Sequence, residues 1–196
     1  MSEVNSSQAH IEIVGRDTPY QAWLDVVRLH LRIDGGTPFV RHVVRLWHAV
    51  SVLPYDPERQ TALVIETPRA PLLHMGHPGL VEAIAGAIDR DAAPEAVARA
   101  EALEEAGVRL DDLAHVGHVW TTPGATTERL DYFLARYTAA DRIGTGGGLA
   151  HEDEHIVVHE RSLVDLWALT HDPGGIDGKL MVLLQALRLR EPDLFA

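Results

Sequence analysis

The first third of the chain consists of short runs in which apolar residues alternate with polar ones or follow one another directly. A period of two, together with many β-branched residues, predicts β-strands. Asp34-Gly35-Gly36 separates two of these runs as a tight turn. We therefore expect an N-terminal β unit over residues 1–45, followed by a second domain over residues 46–196. The predicted strands cover residues 10–14, 23–33, 39–46, 49–53 and 61–67.

The pattern changes after Pro68, where helical segments join the strands. Residues 94–106 are rich in alanine and glutamate, begin with a proline and are followed by Gly107, so they predict a helix. Ser162-x-x-Asp165 matches a capping box that would open a second helix, and apolar spacing predicts a third over residues 179–190. Further strands are predicted over residues 79–88, 115–121, 129–137 and 156–160.

The composition excludes several classes of protein. The 196 residues include no cysteine, which excludes disulfides, thiolate metal sites and a cysteine nucleophile. A net charge of −12, from 17 Lys and Arg against 29 Asp and Glu, argues against general affinity for nucleic-acid backbones. No apolar run approaches the roughly 18 residues of a membrane span, and residues 1–8 are unlike a signal peptide. We expect a cytoplasmic protein that binds neither nucleic acid nor membranes.

Three glutamates on the predicted helix are the first candidates for chemistry. Glu101, Glu104 and Glu105 are spaced i, i+3, i+4 and project within an arc of roughly 100°. Their mutual repulsion is tolerated on a solvated helix face. Equally, oxygen ligands held close together are what Mg²⁺ or Mn²⁺ requires. The helix by itself leaves both interpretations open.

The surrounding segment resembles the box of the Nudix hydrolases, G-x5-E-x7-R-E-U-x-E-E-x-G-U, in which U is apolar. Ala92 stands where the box has its first glutamate, and Ala100 replaces the arginine that in the family helps hold the glutamates in place. Arg99 lies about 100° around the helix from position 100 and cannot simply substitute. The matching positions are Gly86, Glu101, Glu104, Glu105, Gly107 and Val108.

Further segments extend the resemblance over roughly residues 40 to 190. They are similar to the branch of the family that acts on nucleoside diphosphate sugars. Within that branch, the glycines of 146–148 and the Asp177-Gly178-Lys179 segment look most like GDP-mannose pyrophosphatases, with ADP-ribose pyrophosphatases close behind. The segments are Glu82 with its strand, TTPGATTE at 121–128, GGGLAHEDEHIVV at 146–158 and IDGKLMVLLQALR at 176–188.

This resemblance implies a fold, a reaction and a role for particular residues. The fold would be the α/β/α Nudix sandwich with a mixed sheet, and its N-terminal antiparallel β unit would form a homodimer. The reaction would be metal-dependent hydrolysis of the pyrophosphate bond of a nucleoside diphosphate sugar, with Mg²⁺ or Mn²⁺ as cofactor. The implied metal ligands are Glu101, Glu105, Glu154 and the carbonyl of Ala85. The implied catalytic residues are Glu152, as base, and Glu104, as support for the helix. The implied substrate-binding residues are Arg69, Glu82 and Glu128.

Two alternatives compete with this enzyme. Because Ala92 and Ala100 depart from the box, a Nudix-fold module that binds nucleotide without turnover is one of them. The other is a zinc protease, since residues 151–155 read His-Glu-Asp-Glu-His and satisfy H-E-x-x-H. That mechanism needs both histidines one turn apart on a helix, whereas the β-branched residues 156–158 favour a strand. The strand propensity therefore disfavours the zinc site.

Overall fold

The computed structural model describes residues 9–88, 91–149 and 155–196. The chain divides into two compact units. One unit runs to Trp47 and also includes Trp120–Glu128, and the other comprises His48–Val119 and Arg129–Ala196. The first unit is therefore discontinuous in sequence.

The N-terminal unit is built around three strands, β1 (Ile11–Gln21), β2 (Asp25–Ile33) and β3 (Phe39–Arg45). They form an antiparallel sheet in the order β1-β2-β3, which confirms the strands predicted for this region. Asp34 adopts a φ of 48° in the turn after β2, as the Asp-Gly-Gly signal predicts. Segment 120–128 joins this unit because the backbone N–H of Thr127 donates to the carbonyl of Val44 at 3.1 Å.

The second unit contains a mixed sheet of seven strands. They are β4 (Ala49–Asp56), β5 (Thr61–Glu66), β6 (Val81–Glu82), β7 (Ile84–Ala87), β8 (Ala114–Trp120), β9 (Arg129–Arg136) and β10 (Val157–Ser162). The main path is β10-β5-β4-β9-β8, with β6 paired to β5 and β7 paired to β4. β4 and β9 run parallel, whereas β5 is antiparallel to β4, β6 and β10.

The α-helices of the described chain are α1 (Ala70–His74), α2 (Pro94–Ala106), α3 (Leu163–Ala168) and α4 (Gly178–Arg190). The structure confirms α2, α3 and α4 as predicted, including the Ser162 cap, whose hydroxyl accepts the N–H of Asp165. The five-residue α1 was not predicted, because so short a segment carries no helical periodicity. None of these helices is long and apolar enough to cross a membrane.

Alternation along the central strands places a separate core on each face of the sheet. On β4, Val50 and Val52 pack in a buried cluster with the alanines of α2. Leu53 and Tyr55 pack in a second cluster with leucines of α3 and α4. The second unit is thus a three-layer sandwich with α2 on one face and α3 and α4 on the other, as predicted. Helix α2, which carries the three glutamates, contacts β7 on its side of the sheet.

Candidate active site

Helix α2 presents its three glutamates to three different environments. Pro94 lies in the first turn, and Gly107 ends the helix in the left-handed conformation with a φ of 65°. Glu105 is 4% exposed, Glu101 is partly buried and Glu104 is exposed. A fully solvated helix face would leave all three exposed. The interpretation that the glutamates merely form a solvated face of the helix is therefore wrong.

Two of these carboxylates meet strand β7. The backbone N–H of Ala85 donates to Glu105 Oε2 at 3.1 Å. A Cβ atom at Gly86 would lie 1.8 Å from Glu101 Oε1, so the Glu101 carboxylate lies directly over the glycine. Any side chain at position 86 would displace that carboxylate. The structure therefore brings together Glu101, Glu105 and Ala85, three of the four predicted metal ligands.

The donor atoms at this point suit a hard divalent cation. Carboxylate and carbonyl oxygens are the ligands that Mg²⁺ and Mn²⁺ prefer. Within residues 9–88, 91–149 and 155–196, no three Asp, Glu or His side chains are grouped so that they could hold a metal ion. The predicted ligand Glu154 and the predicted base Glu152 lie outside the described residues. The described part of the site thus offers two carboxylates beside the Ala85 backbone.

The glycine-rich segment 146–148 is anchored on the end of α2. The backbone N–H groups of Gly147 and Gly148 donate to the carbonyls of Glu105 and Glu104 at 2.9 and 3.1 Å. These bonds satisfy carbonyls that the end of a helix leaves without partners. Residues 150–154 lie outside the described residues, but the segment that precedes them starts at the carboxylate-bearing turn.

A network of four charged side chains lies beside β6, and its two carboxylates, Glu82 and Asp177, are buried. Arg69 donates from Nε to Glu82 Oε1 at 2.9 Å and from Nη2 to Glu82 Oε2 at 3.0 Å. Lys179 Nζ lies 3.1 Å from Glu82 Oε2 and 2.9 Å from Asp177 Oδ1. The predicted substrate-binding residues Arg69 and Glu82 are therefore paired directly. Sequence reasoning gave Lys179 and Asp177 no role, although the Asp-Gly-Lys match was the signal that marked them.

Each charged group in this network favours the ionised form of its partners. Burial opposes ionisation of Glu82, but the hydrogen bonds from Arg69 and the charge of Lys179 outweigh it and lower the pKa of the carboxyl. Burial also opposes the charge of Lys179, yet Asp177 and Glu82 raise the pKa of its ammonium group. The hydrogen bonds to Glu82 raise the pKa of Arg69. Arg69, Glu82 and Lys179 therefore stay charged at neutral pH.

Asp177 joins the network to the fold. Its carboxylate caps α4 by accepting the N–H groups of Lys179 and Leu180, both at 3.2 Å. The same carboxylate accepts the N–H of Ala83 at 3.1 Å. The N–H of Ala83 therefore bonds a side chain and not a neighbouring strand. The single strand predicted over residues 79–88 is interrupted at this residue and becomes β6 and β7. That prediction was wrong in this detail.

Glu128, the third predicted substrate-binding residue, belongs to the N-terminal unit. There it accepts a hydrogen bond from Thr121 Oγ1 at 2.6 Å. The other described candidate residues all belong to the second unit. The structure does not unite Glu128 with them in one compact unit.

The described part of the His-Glu-Asp-Glu-His motif is not helical. His155 lies in an irregular segment, and β10 starts at Val157. His159 lies on that strand, with Nε2 3.3 Å from Glu66 Oε2. His151 lies outside the described residues. The zinc-protease arrangement requires a helix through both histidines. The irregular backbone at His155 and the strand that follows it disfavour that arrangement.

Comparison with known protein families decides the family of the chain. The NUDIX domain family matches residues 45–181. The chain belongs to the Nudix family. The family that the sequence predicted is therefore confirmed, although Ala92 and Ala100 depart from its box.

Individual relatives of this Nudix protein extend over most of the chain. It is 34% identical to the ADP-ribose pyrophosphatase of Haemophilus influenzae over 208 residues, covering 99% of this chain and 94% of the relative. It is 37% identical to the GDP-mannose pyrophosphatase of Cronobacter sakazakii over 166 residues, covering 81% and 83%. The crystal structure of an ADP compounds hydrolase superposes with a TM-score of 0.75 at 16% identity, covering 95% of both chains. This structural similarity confirms the Nudix fold.

Proposed function

We propose that this Nudix protein hydrolyses the pyrophosphate bond of a nucleoside diphosphate sugar to a nucleoside monophosphate and a sugar phosphate. The observation that carries the proposal is the convergence of Glu101 and Glu105 on Ala85 and Gly86 of β7. Relatives of the chain are named ADP-ribose pyrophosphatase and GDP-mannose pyrophosphatase. ADP-ribose and GDP-mannose are therefore the substrates to test first.

The proposed cofactor is Mg²⁺, for which Mn²⁺ could substitute. Glu101, Glu105 and the backbone carbonyl of Ala85 would hold the ion together with Glu154. A divalent ion bound there offsets the charge of the diphosphate and lowers the pKa of a bound water. Glu104 is exposed and offers its carbonyl to Gly148, so its proposed role is to support the last turn of α2.

The remaining proposed roles concern the water and the substrate. Glu152 accepts the proton of the attacking water as general base. Arg69 binds the diphosphate: Nε and Nη2 are held by Glu82, and Nη1 makes no hydrogen bond within the described chain. Glu82 thus orients the guanidinium, and Glu128 is the third proposed substrate-binding residue. A fixed guanidinium suits phosphate because it loses little freedom on binding.

We also propose a homodimer in which residues 1–45 form the dimer contact and residues 46–196 form the hydrolase domain. Several large apolar side chains of the N-terminal unit are exposed, with Ile11 at 59%, Ile13 at 65% and Trp23 at 82%. Exposed apolar surface of this kind is typical of protein interfaces. We propose in addition that the enzyme is cytoplasmic and binds neither nucleic acid nor membranes; the net charge of −12 supports the absence of affinity for anionic nucleic-acid backbones.

The decisive experiment measures product from GDP-mannose and ADP-ribose with Mg²⁺ or with EDTA. We expect GMP or AMP to be released only with the metal ion. Glu105→Gln should lower kcat about a hundredfold or more, because it removes a carboxylate from the metal site. Glu95→Gln is the matched control, since Glu95 is exposed in the first turn of the same helix. Binding of either nucleotide without any product would instead support a non-catalytic module.

A further inference from the structure

A cavity of about 410 Å³ lies beside Arg69 in the second unit. Residues at the end of β5, in α1 and at the beginning of β10 line it, and all of them belong to that unit. Its volume is within the roughly 300–1,000 Å³ of small-molecule binding sites. Of its lining residues, only Arg69 belongs to the proposed catalytic machinery.

Glu66 supplies a carboxylate to this cavity. Its side chain is 47% exposed, and His159 Nε2 lies 3.3 Å from its Oε2. His159 pairs with Val64 across β10 and β5, so it is the diagonal neighbour of Glu66 on the same face of the sheet. The buried Nε2 atom makes no hydrogen bond within the described chain. A half-exposed carboxylate beside an imidazole retains acceptor positions for hydroxyl groups.

Aliphatic side chains and histidines make up much of the rest of the cavity wall. Leu72 and Leu73 of α1 contribute aliphatic surface. His77 is fixed because Nε2 lies 3.2 Å from the carbonyl of Gly174 and Nδ1 accepts the N–H of Gly79 at 3.3 Å. Among the described residues that line the cavity there is no Phe, Tyr or Trp, and its only aromatic rings are the small imidazoles of His77, His155 and His159. A nucleobase commonly stacks on such a ring, whereas a sugar presents C–H groups to aliphatic surface and hydroxyls to acceptors.

The position of Arg69 connects the cavity to the diphosphate. Its guanidinium donates to Glu82, and Arg69 is also one of the residues that line the cavity. In a nucleoside diphosphate sugar, the group bonded to the diphosphate opposite the nucleoside is the sugar. A phosphate on Arg69 therefore places either the sugar or the nucleoside in this cavity, and the lining favours the sugar.

We infer that this cavity binds the sugar half of the substrate, with Glu66 accepting hydrogen bonds from neighbouring sugar hydroxyls. The inference rests on the proposed function and assigns a substrate group to a subsite of it. Glu66 is then a specificity-determining residue. It should discriminate between substrates by their sugar and not by their base.

The test compares GDP-mannose with GDP, which has the same base and diphosphate but no sugar. For Glu66→Gln we expect kcat/KM for GDP-mannose to fall about tenfold, the usual loss when a charged acceptor is removed. The inhibition constant of GDP against the same reaction should change by less than about twofold, since GDP makes no contact with residue 66. Glu58→Gln is the charge-matched control, because Glu58 is exposed in the turn between β4 and β5.

A second variant guards against a loss of folding. Leu73 is 61% exposed, so Leu73→Trp should fold normally, narrow the cavity and raise KM for GDP-mannose without changing the inhibition constant of GDP. Equal weakening of GDP and GDP-mannose by Glu66→Gln would place the nucleoside in the cavity and overturn the inference, as would no effect on either. If the wild type hydrolyses neither substrate, the proposed function fails. Calorimetric affinities of Glu66→Gln for GDP-mannose and GDP would then test the cavity separately.

Discussion

Replacing Lys179 with methionine should destabilise the junction between β6 and α4. The variant keeps most of the side-chain volume but removes an ammonium group 3.1 Å from Glu82 and 2.9 Å from Asp177. Each hydrogen bond between charged groups stabilises a fold by about 1.5–3 kcal/mol. Glu82 keeps Arg69 and Asp177 keeps its backbone donors, while the desolvation of the ammonium is no longer required. We therefore expect a net loss of about 2–3 kcal/mol.

Urea unfolding followed by far-ultraviolet circular dichroism measures this loss as a change in the midpoint at constant m-value. Arg109→Met is the matched control, since the Arg109 side chain is 59% exposed and lies 3.9 Å from Asp141. An exposed pair of this kind contributes at most about 1 kcal/mol. If Lys179→Met costs no more than Arg109→Met, the contacts of Lys179 with Glu82 and Asp177 do not stabilise the fold and the prediction is refuted.

Three further predictions follow from the site. Gly86→Ala should lower kcat/KM at least about tenfold in a steady-state assay, because the new Cβ displaces the Glu101 carboxylate from its place over β7; unchanged kinetics would contradict this placement. Ala92 and Ala100 line one cavity of about 250 Å³. Ala100→Arg should raise turnover and Ala92→Glu should increase it further, with a coupling energy above about 0.5 kcal/mol in a double-mutant cycle. Additive effects of the two substitutions would mean that the two side chains do not interact. The pKa of Glu82 is lowered in the folded state, so the stability contributed by the ionised carboxylate is present above its ordinary pKa of about 4.3 and is lost as the pH falls through the lower folded value. Urea unfolding from about pH 7 to 3 should therefore show that the difference in the free energy of unfolding between wild type and Glu82→Gln shrinks as the pH falls. An increase of this difference on acidification would contradict the prediction.

The sequence predicted those parts of the fold that depend on local patterns. Helix α2 was predicted closely because proline, alanine, glutamate and a terminal glycine act within a few residues of one another. The convergence of Glu101 and Glu105 on Gly86 was predicted only through the resemblance to a family box. The spacing of the glutamates shows that they share a helix face, but it does not show what that face meets.

The parts that escaped prediction depend on residues far apart in the chain. The network unites Arg69, Glu82, Asp177 and Lys179, so neither periodicity nor spacing could reveal it. Likewise, the break at Ala83 arises from the distant carboxylate of Asp177. Segment 120–128 joins the N-terminal unit through hydrogen bonds to the end of β3, although residues 48–119 of the second unit separate the two in the sequence.

The placement of Lys179 has a practical consequence for chemical labelling. It is the only lysine in the sequence, because the other basic side chains are arginines. Its side chain is 23% exposed and its amine is engaged by two carboxylates. Amine-directed acylating reagents therefore have a single ε-amine to modify, and it is a protected one. The rate at which that amine is acylated, read by mass spectrometry, would report directly how often the junction between the sheet and the last helix opens.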